Sequence, residues 1–419
     1  MSAARRTVAV IGAGMVGVCT AGLLLRDGHD VVLIDPNGPG EGASFGNAGG
    51  LNSASIVPMS VPGTAGNVPK WLLDPLGPLS IRWTYLPSLA PWLIRFVRAG
   101  SAERVEVQAR ALRSLLQPCM ENLAPLVRQA GAEDLIHRQG GLFVYRSLAS
   151  RAKNSAGYEL RRRHGITCEE LDAGAIHELE PALSREYVCG VLIRENAHTS
   201  NPHRLVTSLA EAFVRSGGKL LRRRAAGFAL DGRTLRAVRT DDGEIAADAA
   251  VLAAGIDSRA LARDLGNPVP LESERGYHLM IRNPEVSTRI CVADGDGKFV
   301  VTPMETGLCI AGTVELADVD AEPNWERAHI MLEHGRRLLP GLSGNYAPER
   351  LSRWMGHRPS LPDSLPVIGA SRSSPNVFFA FGHGHVGMVA APMTARVIAD
   401  LVAGRPPAID IAPFRPDRF

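Results

Sequence analysis

The sequence predicts an α/β fold in which a Rossmann-like domain with a parallel sheet is interleaved with an α+β domain built on an antiparallel sheet. Three observations predict it. Residues 7–35 read as a strand, a glycine-rich turn, an apolar helix and a second strand. A buried strand of small residues, Ala249-Ala-Val-Leu-Ala-Ala-Gly255, returns in the middle of the chain, and a strand, a glycine turn and a long helix recur from Val377 to Leu401. The alternating stretches between them need a second sheet.

Composition narrows the function classes. With 419 residues, 45% of them hydrophobic and 21% charged, the chain is neither disordered, collagen-like nor fibrous. At about 100 to 200 residues per domain, its length predicts two or three domains and favours a ligand site between them. The net charge is only +3, from 46 Lys and Arg against 43 Asp and Glu, so no nucleic-acid partner is expected. Lysine occurs only at 70, 153, 219 and 298, which leaves 42 arginines. The runs Arg161–Arg163 and Arg222–Arg224 read as solvated faces. Six scattered cysteines show neither a CxxC pair nor metal-ligand spacing, which predicts free thiols in a reducing compartment and no metal. Arg5-Arg6 precedes 19 uncharged residues, Thr7–Leu25, as a targeting or membrane segment would. Gly12, Gly14, Gly17 and Gly22 interrupt that run, and the strand, turn and helix reading is preferred.

The first element, Thr7-Val-Ala-Val-Ile-Gly-Ala-Gly-Met-Val-Gly17, places G-x-G-x-x-G between a strand and a helix. Asp35 closes the next strand 23 residues after Gly12. Gly12 permits the turn, Gly14 lets the backbone approach a pyrophosphate at the helix N-terminus, and Gly17 lets helix and strand pack closely. Asp35 offers a carboxylate to ribose hydroxyls. The unit alone leaves NAD and FAD open. The long small-residue loop that follows, Gly38–Gly50, can lie along an extended cofactor, with Ser44 and Asn47 supplying donors.

Residues 61–98 hold three of the five tryptophans, Trp71, Trp83 and Trp92, among several prolines; they cap the core or touch a membrane surface. The pattern is helical from Arg98 to Gly131, strand-like from Leu135 to Arg146, helical from Arg151 to His164 and strand-like again from Tyr187 to Glu195. Asn201 is the expected N-cap of a helix with Pro202 at its first position and Gly217-Gly218 as its stop. A strand from Lys219 and hairpins at Asp231-Gly232 and Asp241–Gly243 lead to the strand ending at Gly255. Arg275–Arg282 and the hairpin Lys298–Val314 read as strands of the second layer, followed by helical residues from Trp325 to Leu339. The last unit, Val377–Gly387, implies a ligand gripped from both ends of the chain.

Together VIGAGMVG (10–17), GASFGNAGG (42–50), VLAAG (251–255), ERGYH (274–278), GHRPSLPDSLPVIG (356–369) and FGHGHVGM (381–388) resemble the D-amino acid oxidase (DAO) superfamily of FAD-dependent oxidoreductases, in its bacterial D-amino acid dehydrogenase branch. KWLLDPLGPLSIR (70–82), GTVE (312–315) and PNWERAH (323–329) are similar to the glyphosate oxidoreductase group of that branch. The resemblance implies FAD as cofactor, held by Gly12, Gly14, Met15, Val16, Gly17, Asp35, Ser44, Asn47, Ala48, Gly49, Ala225, Gly255, Gly382, His383, Gly384 and Gly387. It implies Arg358 as the substrate-carboxylate anchor, with Tyr277, His278 and His385 as further catalytic residues. Between His383 and His385 the flavin-facing ring is left open, and His357 has no assigned role. Where the oxidases carry a tyrosine facing the substrate, this chain has Phe299.

The resemblance further implies oxidation of the C–N bond of a D-amino acid or N-substituted glycine. The alternative is a secondary-amine or cyclic imino acid substrate; an NAD-dependent dehydrogenase and a non-catalytic flavoprotein are more remote. The expected partners are a carboxylate-bearing amino acid or amine and an electron acceptor, O2 or a quinone. The expected location is cytoplasmic, with peripheral contact at the inner face of the membrane as an option, and the oligomeric state is left open. Residues 1–55, 198–262 and 348–419 are expected to form the FAD domain, and 56–197 and 263–347 the substrate domain.

Overall fold

The computed structural model describes residues 5–419. The first sheet has the strand order Lys219–Leu221, Asp30–Ile34, Thr7–Ile11, Ala249–Leu252, Val377–Phe381, Val367–Ala370. Its first five strands run parallel and the last is antiparallel to its neighbour. Both faces are covered, which is why its central strands are uninterrupted runs of apolar residues. On one face the helix Met15–Arg26 packs against Gly387–Val402 and Pro202–Arg215. On the other, Phe228, Leu235 and Val238 of a three-stranded antiparallel sheet join the core. Asn201 caps its helix as expected, its Oδ1 accepting from the N–H of Arg204 at 2.9 Å.

The second sheet has nine strands among the described residues. Eight follow the order Leu351–Ser360, Glu272–Ile281, Gly307–Leu316, Phe299–Met304, Cys291–Asp294, Gly141–Tyr145, Cys189–Ile193, Glu169–Asp172, and Leu79–Ile81 pairs with Gly307–Leu316. It is mostly antiparallel. The helix Glu326–Leu338 covers one face, and the other looks towards the first domain.

Three local readings change. The expected segment 348–419 of the first domain opens with Leu351–Ser360, yet this strand pairs along its whole length with Glu272–Ile281 in the second sheet. The chain crosses back only after residue 360. The run Arg161–Arg163 is not uniformly solvated: Arg162 and Arg163 pair with Glu170 and Glu106 outside, while Arg161 turns inward. There its guanidinium lies 5.4 Å from the ring centroid of Tyr158, its neighbour one turn back on the helix Ser155–Arg163. The stretch 61–98 is divided. Trp92 and Phe96 are buried, stacked on each other at 5.0 Å and clustered with Ile81 and Leu316, whereas Leu73 and Trp83 are exposed. The helix from Gly384 to Val402 is long and apolar enough to cross a membrane, but it is mostly buried as the core helix of the first domain.

Candidate active site

A single cavity of about 1120 Å³ runs between the two sheets. One end lies over the first glycine turn. Gly12 has φ +103°, and a Cβ there would come within 2.4 Å of the Ala253 carbonyl oxygen; a Cβ on Gly17 would come within 1.8 Å of the Gly12 carbonyl oxygen. Both glycines are therefore required by the backbone itself, and Gly17 lies behind the cavity rather than on it. Gly14, Met15 and Val16 line it. The helix they begin has no capping side chain on Gly14 and no acidic residue in its first turn, so apart from the Met15 N–H, which donates to Ser44 Oγ, its positive end stays open to an anion. Asp35 also lines the cavity, and its carboxylate accepts from the N–H groups of Ala13 at 2.8 Å, Asn37 at 2.9 Å and Gly38 at 3.1 Å. It braces the turn while keeping lone pairs for a hydroxyl donor. Ala225 and Gly255 line the same end.

The loop 42–50 crosses the middle of the cavity and is held from behind. Ser44 Oγ accepts from Met15 N–H at 3.1 Å, and Asn47 Oδ1 accepts from Gly49 N–H at 2.8 Å. Thr302 donates to the Ala48 carbonyl at 2.8 Å. Gly49, at φ +78°, sits against the Thr199 backbone outside the cavity lining. Trp354 presses on the loop so closely that a Cβ on Gly46 would lie 2.1 Å from its indole. His278 is stacked on Trp354 at 5.4 Å, and its Nδ1–H donates to the Gly46 carbonyl at 2.9 Å. The expectation that His278 faces the substrate is thus corrected. In a strand whose neighbouring side chains alternate across the sheet, it points behind the loop and acts as a brace.

The carboxyl-terminal turn closes the cavity. Gly382 and Gly384 have φ +82° and +51°, and Gly387 begins the helix Gly387–Val402, whose N-terminus opens onto the cavity. His383 is buried with Nε2 3.0 Å from the Thr394 hydroxyl; burial drives its pKa down to about 3, so it is neutral. His385 faces the lumen and has no side-chain hydrogen bond among the described residues. Its ring is exposed to the lumen, and desolvation by the surrounding cavity walls, followed by the Arg358 charge, lowers its pKa to about 4. Of the two rings, His385 is the one presented to a ligand.

At the far end, Arg358 extends across Gly276, where a Cβ would lie 2.3 Å from its guanidinium carbon. It makes no ion pair among the described residues and donates only to the Thr313 carbonyl, at 3.4 Å. Its cross-strand neighbour Glu274 is buried with Oε2 unpartnered. Burial pushes that carboxyl above its usual range, opposed by Arg358 and the Ser360 hydroxyl. Burial likewise lowers the Arg358 pKa, opposed by Glu274. The result is a rigid fork whose donors are mostly unfilled, the form that suits a ligand carboxylate.

Tyr277 lines the cavity with its ring, but its hydroxyl donates to Glu315 at 2.5 Å and accepts from Asn324 N–H at 3.1 Å. Burial and Glu315 push its pKa up to about 12. That hydroxyl is committed to structure, which corrects the expectation that it orients a substrate. His357 bonds the Ser273 hydroxyl at 2.8 Å, and Phe299 stacks on His334 at 5.1 Å. Sequence reasoning missed Trp354, Gly276 and Glu274. The glycine two residues after a glutamate in ERGYH was the one available signal, since a strand glycine often marks a close approach.

The lining suits an extended dinucleotide with a tricyclic end. The first helix N-terminus and the Ser44 hydroxyl would hold a pyrophosphate, the small-residue loop would lie along the cofactor, and a second helix N-terminus opens onto the same cavity as Arg358 and His385.

The sequence profile of the family described as DAO, FAD dependent oxidoreductase, matches residues 7–401. The D-amino-acid oxidase of Bradyrhizobium diazoefficiens is 46% identical over 417 residues, 99% of each chain. The D-amino acid dehydrogenase of Paramagnetospirillum magneticum is 33% identical over 423 residues, 98% of each. The crystal structure of glycine oxidase from Geobacillus kaustophilus superposes with a TM-score of 0.77 at 22% identity over 99% of each chain, a likeness of fold.

Proposed function

The chain belongs to the DAO family of FAD-dependent oxidoreductases, and from that premise we propose that it oxidises the C–N bond of a D-amino acid or an N-substituted glycine whose carboxylate is held by Arg358. The observation that carries this reading is the unpaired Arg358 fork, laid over Gly276 in the same cavity as both glycine turns. The names of the two relatives, an oxidase and a dehydrogenase of D-amino acids, support the substrate class.

Bound FAD supplies a hydride acceptor for the carbon beside the nitrogen. Arg358 fixes the carboxylate and so sets which C–H faces that acceptor. His385, neutral at physiological pH, accepts a hydrogen bond from the amine and orients it, while the enclosed cavity and the Arg358 charge favour the uncharged form. The N-terminus of Gly387–Val402 favours negative charge at the same end of the cavity. The substrate loses a hydride from carbon and a proton from nitrogen; water then adds to the C=N bond and splits it into an oxo compound and an amine.

Phe299 gives the pocket an apolar wall where a hydroxyl is expected, which favours a second reading with a secondary amine or cyclic imino acid as donor. The acceptor is O2 or a quinone. The exposed Leu73, Leu76 and Trp83 adjoin Pro78 and Leu79, which line the cavity, and this supports peripheral contact with the inner face of the membrane by an otherwise cytoplasmic protein. Replacing Arg358 by alanine tests the reading: KM for every carboxylate substrate should rise at least a hundredfold, and an unchanged KM overturns it.

A further inference from the structure

Thr313 is the one residue of Gly307–Leu316 that falls between pairings. Gly276 faces Val314 while Tyr277 faces Gly312, so Thr313 is bulged out of the ladder with Glu272–Ile281. On its other side, pairing with Phe299–Met304 ends at Gly312 and pairing with Leu79–Ile81 begins at Val314. Its φ is +59°, in the left-handed region that a β-branched side chain rarely adopts. A bulge of this kind re-aims a side chain, and such strain persists where the surroundings demand it.

The side chain so aimed has no structural use. Thr313 lines the cavity and is 7% exposed, and its hydroxyl is buried without a hydrogen-bond partner. Its own carbonyl is the acceptor for Arg358 at 3.4 Å, so the residue that carries the unpartnered hydroxyl is a direct neighbour of the guanidinium. A buried hydroxyl without a partner is unfavourable until something enters to take its hydrogen bond. Phe299, across the same strand, offers no polar group.

We propose that the Thr313 hydroxyl donates a hydrogen bond to the substrate carboxylate oxygen held by Arg358, making Thr313 a specificity-determining residue of the carboxylate anchor. This rests on the Arg358 reading above. A planar fork alone accepts any flat anion. A third donor set off to one side fixes the rotation of the carboxylate about its bond to the α-carbon, and with it the C–H presented for removal.

The test uses the FAD-bound protein and pyrrole-2-carboxylate, a planar carboxylate with no hydride to give, titrated by the change in flavin absorption. Thr313→Val keeps the shape and loses the hydroxyl, and should weaken binding about ten- to a hundredfold, the worth of one hydrogen bond to a charged group. Thr313→Ser should restore binding to within about threefold, with the melting temperature and FAD affinity of both variants unchanged. A Thr313→Val protein that binds the probe like the parent, or a Thr313→Ser protein as weak as Thr313→Val, overturns the assignment. Arg358→Ala is measured in parallel. Loss there without loss in Thr313→Val refutes only the Thr313 role, whereas no loss in Arg358→Ala refutes both.

Discussion

Gly276→Ala isolates the geometry of the anchor from its charge. The added Cβ would lie 2.3 Å from Cζ and Nη2 of Arg358 and 2.5 Å from Nη1, whereas ordinary contact begins near 3.4 Å. The guanidinium must therefore shift by about 1 Å or more. Because it is the far end of a flexible side chain, folding should be nearly unaffected. Carboxylate binding should not be spared. Two charge-assisted bonds are together worth about 3 to 6 kcal/mol, and a displacement of this size forfeits roughly half, about 10- to 150-fold. The assay is KM for the preferred amino acid, together with the dissociation constant of a non-reacting carboxylate read from flavin absorption. Gly276→Ala combined with Arg358→Ala should lose no more than Arg358→Ala alone, since both remove one interaction. Parental binding in Gly276→Ala, or additive losses in the pair, would refute the claim that Arg358 acts from its position over Gly276.

Two further outcomes follow. Asp35→Ala removes the acceptor for three backbone N–H groups that hold the first turn, so the FAD dissociation constant should rise at least a hundredfold in a flavin-fluorescence titration of the stripped protein; unchanged affinity would contradict that role. His383, with a pKa of about 3, and His198, with about 4, both buried, lie below the ordinary value of 6.5 because burial penalises the charged ring. As pH falls below about 6.5 the unfolded chain takes up protons that the folded chain refuses. Stability from these groups is therefore complete above pH 6.5 and is lost towards pH 4, by a few kcal/mol in order of magnitude. The melting temperature should fall between pH 7 and 5, and a flat profile would count against it.

Much of the fold was legible because its signals are local. Gly12 and Gly17 are dictated by steric needs within one turn, Asn201 caps its own helix, and the second glycine turn is adjacent to the strand that delivers it. The resemblance to the DAO family, read from such segments, is borne out by a profile match over residues 7–401. The substrate end was less legible. Glu274 and Arg358 are paired by sheet register across 84 positions of chain, and alternation along a strand reveals a face but not its neighbours. The same limit hid Trp354 behind Gly46, turned His278 from a substrate contact into a loop brace, and tied the Tyr277 hydroxyl to Glu315. Arg161 went inward because its helix face is shared with Tyr158, a contact that a count of charges does not reveal.

The proposed reaction, removal of a hydride from an amino acid recognised through its carboxylate, can be read directly at the bound flavin. The direct measurement is anaerobic bleaching of the bound flavin by D-amino acids, sarcosine, D-proline and iminodiacetate, each beside the matching amine without a carboxylate. At least one acid should bleach the flavin, and its carboxylate-free partner should not. Bleaching by the amines alone, or by none of the acids, would contradict it.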